Sequence, residues 1–181
     1  SKAVEESKGF ESWWDHLLAE MRWLDHRLRV LVEQQIAFAE KNPTLANNAL
    51  AIPDEEVQEL LISNTTRDSN YPNAEPTSLG RDEIDQRIAA SQVAGIHLPL
   101  ARIYQCYQLD PVEILILLLA LAPHFEARYH RVYAYLHDDI GRTQPTVSLA
   151  LDLLAQTTQA RGAYLGYFKP AAPLRYFEIL K

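Results

Sequence analysis

The fold is decided by residues 98–154, LPLARIYQCYQLDPVEILILLLALAPHFEARYHRVYAYLHDDIGRTQPTVSLALDLL. Apolar residues recur there at helical spacing, and short turns containing Asp, Pro or Gly separate the repeats. Residues 114–121 are apolar on every side, so we predict that the helix containing them is central and buried. The core of this unit should therefore include Leu115, Leu118 and Leu119.

The same stretch contains the signals that begin and end its helices. Asp110 is a natural N-cap and Pro111 suits the first helical position, so one helix should start there. We predict further helices over residues 98–107 and 127–137, each with one apolar stripe, and a last helix beginning at residues 143–145. The stripe residues are Leu100, Ile103, Tyr104 and Tyr107 on the first helix, and Tyr129, Val132, Tyr133 and Leu136 on the second.

After residue 162 the composition favours β-structure. Residues 164–168 and 174–180 are rich in aromatic and aliphatic side chains, and two prolines lie between them. We predict that these two segments pair as a small β-hairpin.

A long helix is predicted over residues 10–40, because apolar residues alternate there at spacings of four and three. This seam consists of Phe10, Trp14, Leu17, Met21, Leu24, Leu28, Leu31 and Phe38, with Gln35 at the skipped position and Trp13, Leu18 and Val32 beside it. Such a stripe is stable only when covered. Either it folds onto predicted helices at residues 54–62 and 82–94, or a second chain covers it.

We expect a mostly α-helical protein built from two parts. Residues 1–62 form an N-terminal helical region that contains the long helix, with a connector at residues 43–53. Residues 63–80 are rich in Ser, Thr, Asn and Pro without periodicity, which is typical of a linker. Residues 81–181 form the second domain. The first nine residues are polar and predicted to be disordered.

A resemblance gives the second domain a name. Residues 98–154 resemble the N-terminal, winged-helix-like region of a group of bacterial AAA+ ATPases, in the order L-A-R-x-Y, L-D-P-x-E-x-x-x-L-L-x-L-A, E-x-R-Y-x-R-V-Y-A-Y-L-x-D-D and P-T-V-x-L-A-L-x-L-L. Some members of that group are encoded with phage-tail-like contractile injection systems. The tail APLRYFEIL, residues 172–180, is similar to the end of that region. The resemblance covers about the C-terminal half of the chain and implies a winged-helix-like unit ending in a small hairpin.

The charge distribution argues against nucleic acid as the main partner. The net charge is −7. Winged-helix modules that bind DNA often use their third helix and their wing. Residues 98–154, which would contain that helix, carry four Lys and Arg against six Asp and Glu and are therefore acidic. Its last helix lacks Lys and Arg, although Gln144 or Thr146 is placed to contact a base edge. The predicted hairpin would be the wing, and its basic residues are Lys169, Arg175 and Lys181.

The sequence lacks the motifs that carry out common chemistries. A phosphate-binding loop G-x-x-x-x-G-K-[ST] is missing, so we expect ATP and Mg²⁺ to be bound by a full-length protein and not by this chain. The residues with metal-ligating groups are His124, His130, His137, Asp138 and Asp139. Seven residues along a helix separate two of these histidines by about 10 Å, which is too far for one ion without a third ligand. We assign no catalytic, cofactor-binding or metal-binding residues.

Two further side-chain predictions follow. Asp138 and Asp139 lie at a helix C-terminus, where the dipole disfavours acids, so we expect them to pair with Arg128, Arg131 or Arg142, or to face a partner. Cys106 is the single cysteine and lies in an apolar run. It is therefore predicted to be a buried, unreactive thiol.

The resemblance implies a non-catalytic adaptor domain of an AAA+ ATPase, which recognises a protein client or partner or helps to assemble the ring. The acidic charge and the missing catalytic motifs are consistent with this role. The alternative is a winged-helix module that binds nucleic acid. Residues 10–40 offer a route to a homo-oligomer. We expect no membrane partner, because the longest apolar run is too short to cross a bilayer, and we expect a cytoplasmic location.

Overall fold

The computed structural model describes residues 8–42, 52–62, 79–155 and 157–179. Within these ranges every regular element is helical and none is a strand. The elements are α1 (Trp13–Lys41), α2 (Asp54–Ile62), α3 (Arg81–Val93), α4 (Pro99–Cys106), α5 (Pro111–Phe125), α6 (Arg128–Leu136), α7 (Val147–Leu154), α8 (Thr158–Tyr164), a 3-10 helix (Leu165–Phe168) and α9 (Pro173–Tyr176). The expectation of a mostly α-helical protein is confirmed.

Helix α1 is the long helix that the alternating spacing predicts, although it begins at Trp13. Ser12 caps its N-terminus by accepting a hydrogen bond from the backbone N–H of Asp15 (3.2 Å). Its fully buried apolar residues are Met21, Leu24, Leu28 and Val32. The helix ends at Asn42, whose backbone N–H donates to the carbonyls of the last turn.

Helix α1 packs against each of the helices α2 to α7. Gln35, the polar residue at the skipped seam position, donates its side-chain amide to the backbone carbonyl of Tyr135 in α6 (3.2 Å). The seam is thus covered largely by the chain's own helices, in agreement with the first of the two predicted alternatives. Trp13 and Phe38, at the two ends of the helix, remain 53% and 60% exposed.

One hydrophobic core joins α1 and α2 to the helices that follow residue 79. Helices α1 and α2 therefore pack against the helices of the C-terminal unit. The predicted disorder of residues 1–9, the connector at 43–53 and the linker at 63–80 fall mostly outside the described residues. The division of the chain into two domains stays a prediction.

Helix α5 is the central buried helix predicted for residues 114–121. Asp110 accepts a hydrogen bond from the backbone N–H of Glu113, and the Glu113 carboxylate accepts one from the backbone N–H of Asp110, both at 2.9 Å. This reciprocal pair is a capping box, which satisfies two backbone donors at the start of the helix. Leu115, Leu118 and Leu119 are at most 2% exposed, so their predicted place in the core is confirmed.

Replacing Asp110 with Ala is expected to lower the free energy of unfolding by about 0.5–2 kcal/mol through loss of the α5 N-cap, and further because the Tyr167 hydroxyl loses its acceptor. Asp110→Asn keeps an acceptor oxygen and should stay close to wild type. Urea unfolding followed by circular dichroism measures both variants. Equal destabilisation by the two substitutions would contradict the capping role.

The predicted C-terminal β-hairpin is wrong. Its first segment lies at the end of α8 and in the 3-10 helix, and its second contains α9. Thr157 caps α8 by accepting from the backbone N–H of Ala160 (3.2 Å), and Pro173 takes the first position of α9. These helix-start signals override the β-propensity of the aromatic residues, which is a weak and context-dependent preference.

Tertiary contacts hold this C-terminal segment against α4 and α5. The Tyr167 hydroxyl donates a hydrogen bond to Oδ2 of Asp110 (2.8 Å), which raises the pKa of Tyr167 to about 12. The rings of Tyr107 and Phe177 pack with their centroids 4.8 Å apart. These contacts use the aromatic side chains that, in the sequence, favour strands.

The remaining predicted helices differ from the structure in two details. On α4, Tyr104 is buried as expected, whereas Ile103 is 38% exposed. Helix α7 starts at Val147 and not at residues 143–145. Thr146 supplies the cap there by accepting from the backbone N–H of Leu149 (3.1 Å).

Candidate interaction surfaces

The first of two buried ionic clusters on α1 is centred on Glu20, which is fully inaccessible. Arg81 donates to both of its carboxylate oxygens, at 2.7 and 3.0 Å, and His16 lies 3.0 Å from Oε1. Burial alone would raise the pKa of Glu20, but the hydrogen bonds from His16 and Arg81 outweigh it and hold that pKa below its ordinary value. The cluster ties α1 to α3.

The second cluster is centred on Asp25 and ties α1 to α2 and α6. Arg128 donates to Oδ2 of Asp25 (2.8 Å) and to the backbone carbonyl of Leu60 (2.7 Å), and the Tyr129 hydroxyl donates to Oδ1 (2.8 Å). Burial raises the pKa of Asp25, although both partners favour its charged form. Within each cluster, the charged groups bind one another inside the fold. We therefore assign both clusters a structural role.

Helix α7 is the last helix of the predicted winged-helix-like unit, and its sequence VSLALDLL contains no Lys or Arg. Its single charged residue, Asp152, forms an ion pair with Arg161 of α8. Of the two residues proposed for base contacts, Thr146 is the N-cap of α7 and Gln144 is exposed just before it. This face therefore presents little positive charge.

Carboxylates also neutralise arginines of the preceding elements. Arg131 binds Glu56 of α2, and Nε of Arg142 lies 3.7 Å from Oδ2 of Asp139. Of the predicted wing residues, Lys169 and Arg175 are exposed in the helical C-terminal segment, and Lys181 lies outside the described residues. Among these described residues, only Lys169 and Arg175 are thus exposed without a carboxylate partner, which is fewer contacts than a phosphate backbone needs for tight binding.

The histidines considered for a metal site do not come together as one. No group of three or more His, Cys, Asp or Glu residues in the described ranges is arranged to hold an ion. His130 and His137 lie 3.2 Å from the backbone carbonyls of Thr143 and Gln144, and His124 is exposed at the end of α5. The first two thus bond the loop that leads into α7.

The acidic pair after α6 is divided between two roles. Asp139 pairs with Arg142, one of its three predicted partners, and accepts from the backbone N–H of Gly141 (2.9 Å). Asp138 adopts a positive φ of 52° at the turn, a conformation that Asp tolerates better than most residues. Their main effect is to shape the turn between α6 and α7.

The predicted burial of Cys106 is wrong. The cysteine is exposed at the last position of α4. The apolar stripe of this helix turns Ala101 and Tyr104 towards the core, and Cys106 lies two positions further on, on the outer side.

A groove between α1 and the end of α7 is the site that sequence reasoning missed. It encloses about 520 Å³. Its residues are Trp23, His26, Arg27, Val30, Leu31 and Gln34 of α1, Leu79 and Gly80 before α3, and Asp152, Leu153 and Leu154 of α7. The α1 residues recur at spacings of three and four, so the signal is present in the sequence. The sequence alone does not identify the groove, because α7 is distant from α1 along the chain.

No helix within the described ranges combines the length and the apolar character needed to cross a membrane.

No curated protein and no solved structure matches the chain. The association with AAA+ ATPases that the resemblance implies therefore stays a prediction. A family model described as "Winged helix domain, variant" matches residues 1–181, and thus the whole chain, where the resemblance covered about half. The chain therefore belongs to this family of variant winged helix domains.

Proposed function

We propose that this chain is a non-catalytic protein-interaction domain. Winged helix domains are compatible with either DNA binding or protein interaction. The observation that favours protein is the face of α7, which has no Lys or Arg and whose one carboxylate is paired with Arg161. Because phosphate contacts from basic side chains supply most of the affinity for DNA, a helix of this composition is poorly suited to read a duplex.

The finer form of the proposal is that the domain serves as the N-terminal adaptor of an AAA+ ATPase. The support for it is the resemblance of residues 98–154 and 172–180 to that region. In this role the domain holds a protein client or partner, while ATP and Mg²⁺ are bound elsewhere in the full-length protein. The gene provides a direct test: an in-frame G-x-x-x-x-G-K-[ST] loop beyond residue 181 supports the adaptor role, and a stop codon there contradicts it.

DNA binding is the second candidate function, because the family is compatible with it. Gln144 is exposed before α7, and Lys169 and Arg175 are exposed in the C-terminal segment. These residues offer at most a few contacts. With so few phosphate contacts, sequence-independent binding to DNA is expected to be weak, with a Kd of about 10⁻⁴ to 10⁻⁶ M that rises further as the salt concentration rises.

The test is a selection from a randomised duplex library at physiological salt, followed by fluorescence anisotropy on the enriched sequences. We expect no sequence to be enriched and no submicromolar complex to form. A duplex bound below micromolar Kd, with affinity lost in Gln144→Ala and kept in Gln92→Ala at an exposed glutamine of α3, would replace the proposed function by DNA recognition. Calorimetry with ATP checks the expectation that this chain does not bind the nucleotide, and binding with a micromolar Kd would contradict it.

A further inference from the structure

We infer that the groove between α1 and α7 docks a partner segment that carries a carboxylate flanked by bulky apolar side chains. The inference rests on the proposed function and names the surface and the chemistry through which it is carried out. Three properties of the groove lead to it: its apolar wall, its cation and its size.

The wall from α1 presents apolar side chains among the polar ones of His26, Arg27 and Gln34. Val30 and Leu31 lie seven and eight residues after Trp23, so the three share one face of the helix. This face lines the groove from Trp23 to Gln34, over roughly 16 Å. Leu153 and Leu154 complete the apolar lining from α7. Val30 is 40% exposed although the groove offers it apolar neighbours. Contact with a partner's apolar side chains would remove this surface from water.

Arg27 provides the charge. Its guanidinium donates a long hydrogen bond to the backbone carbonyl of Leu153 (3.4 Å) and lies 5.9 Å from the centre of the Trp23 ring. No carboxylate among the described residues forms a salt bridge with it, and Asp152 in the same groove is paired with Arg161. In a chain of net charge −7, this groove therefore holds a cation beside apolar surface. An acidic side chain complements that combination, whereas a basic partner or a neutral apolar one leaves the charge unmatched.

The size of the groove suits a short segment. A volume of about 520 Å³ accommodates a few side chains and is in the range of sites that bind small ligands or short peptides. The groove-lining face of α1 and the end of α7 together resemble the grooves that take the apolar face of an amphipathic helix.

The inference is tested by selecting binders from a phage-displayed random peptide library on the immobilised full chain. Selection is followed by affinity measurements with synthetic copies of the enriched peptides. We expect the enriched peptides to share an Asp or Glu flanked by Leu, Ile, Phe or Trp. Arg27→Gln, which removes the positive charge but keeps a side-chain N–H donor, should weaken the binding of these peptides by at least about tenfold. Val30→Asp should abolish binding, while Val147→Asp, at a similarly exposed valine outside the groove, should leave it unchanged.

A second selection on Arg27→Glu distinguishes charge recognition from a general loss of fold. If the groove recognises a carboxylate through Arg27, the consensus should exchange its acid for Lys or Arg, and thermal unfolding should show that the variant is folded. Peptides that bind wild type and Val30→Asp equally would overturn the groove while leaving the protein-interaction function in place. The absence of any enriched consensus, or a wild-type dimer that Val30→Asp dissociates, would also overturn the inference. Failure of the proposed function is detected separately, by DNA binding.

Discussion

A chain that begins at residue 63 is expected to lose cooperative folding. Such a chain lacks both α1 and α2, and α1 packs against each of the helices α3 to α7 that remain. The residues of α1 that are completely buried are Met21, Leu24, Leu28 and Val32. Their removal would expose the apolar faces of α5 and α6 that they cover.

The expected loss is large compared with the stability of a domain. Full burial of one such side chain is worth about 1.5–3 kcal/mol, so the four together contribute roughly 6–12 kcal/mol. Globular proteins are stable by about 5–15 kcal/mol in total. The shortened chain should therefore melt without a sharp transition and bind a hydrophobic dye, which circular dichroism and fluorescence measure.

The matched control is the full chain with Trp13→Ala and Phe38→Ala, which changes exposed residues at the ends of the same helix. Its melting should stay close to wild type. Light scattering on the wild-type chain then addresses the predicted homo-oligomer through residues 10–40. A dimeric full chain together with a folded, monomeric shortened chain would mean that α1 is an interface and not the centre of the core.

The sequence predicts the helices that are defined by strong local signals. Helix α1 has sustained periodicity, and α5 has an Asp-Pro start followed by a continuous apolar run. Both signals act within a few residues and need no information about the rest of the chain. The places of Leu115, Leu118 and Leu119 follow for the same reason.

The predictions that failed depend on contacts between distant parts of the chain. The C-terminal aromatic residues favour strands locally, but Tyr167 bonds Asp110 and Phe177 packs on Tyr107. Cys106 lies in an apolar run, yet its angular position on α4 points away from the core. The groove has one wall on α1 and the other on α7, so neither wall identifies it alone.

The buried charges of α1 were not singled out by the sequence at all. Glu20 is flanked by Ala19 and Met21, and Asp25 by Leu24 and His26, so the neighbouring residues alone do not show whether either acid is buried. Their burial results from arginines supplied by α3 and α6, at separations of 61 and 103 residues. Only packing shows that these acids are internal.

Replacing Arg81 with Met is therefore expected to lower the free energy of unfolding at neutral pH by about 3–5 kcal/mol, because it leaves Glu20 buried without its main counter-charge. The carboxylate is fully inaccessible and receives two hydrogen bonds from Arg81. Arg142→Met is the matched control. Arg142 is exposed and lies 3.7 Å from Asp139, and its loss should change stability by less than about 1 kcal/mol.

The pH dependence separates lost charge pairing from lost packing. In the wild type the pKa of Glu20 is held below its ordinary value of 4.5, so the stabilisation is complete above pH 4.5 and is lost as the pH falls through the folded-state pKa. The difference in free energy of unfolding between wild type and Arg81→Met should accordingly become smaller as the pH falls. Adding Glu20→Gln to Arg81→Met removes the buried charge and should recover part of the loss at neutral pH. Denaturant titrations at several pH values measure these differences, and a gap that is constant with pH and unaffected by Glu20→Gln would mean that Arg81 acts through packing alone.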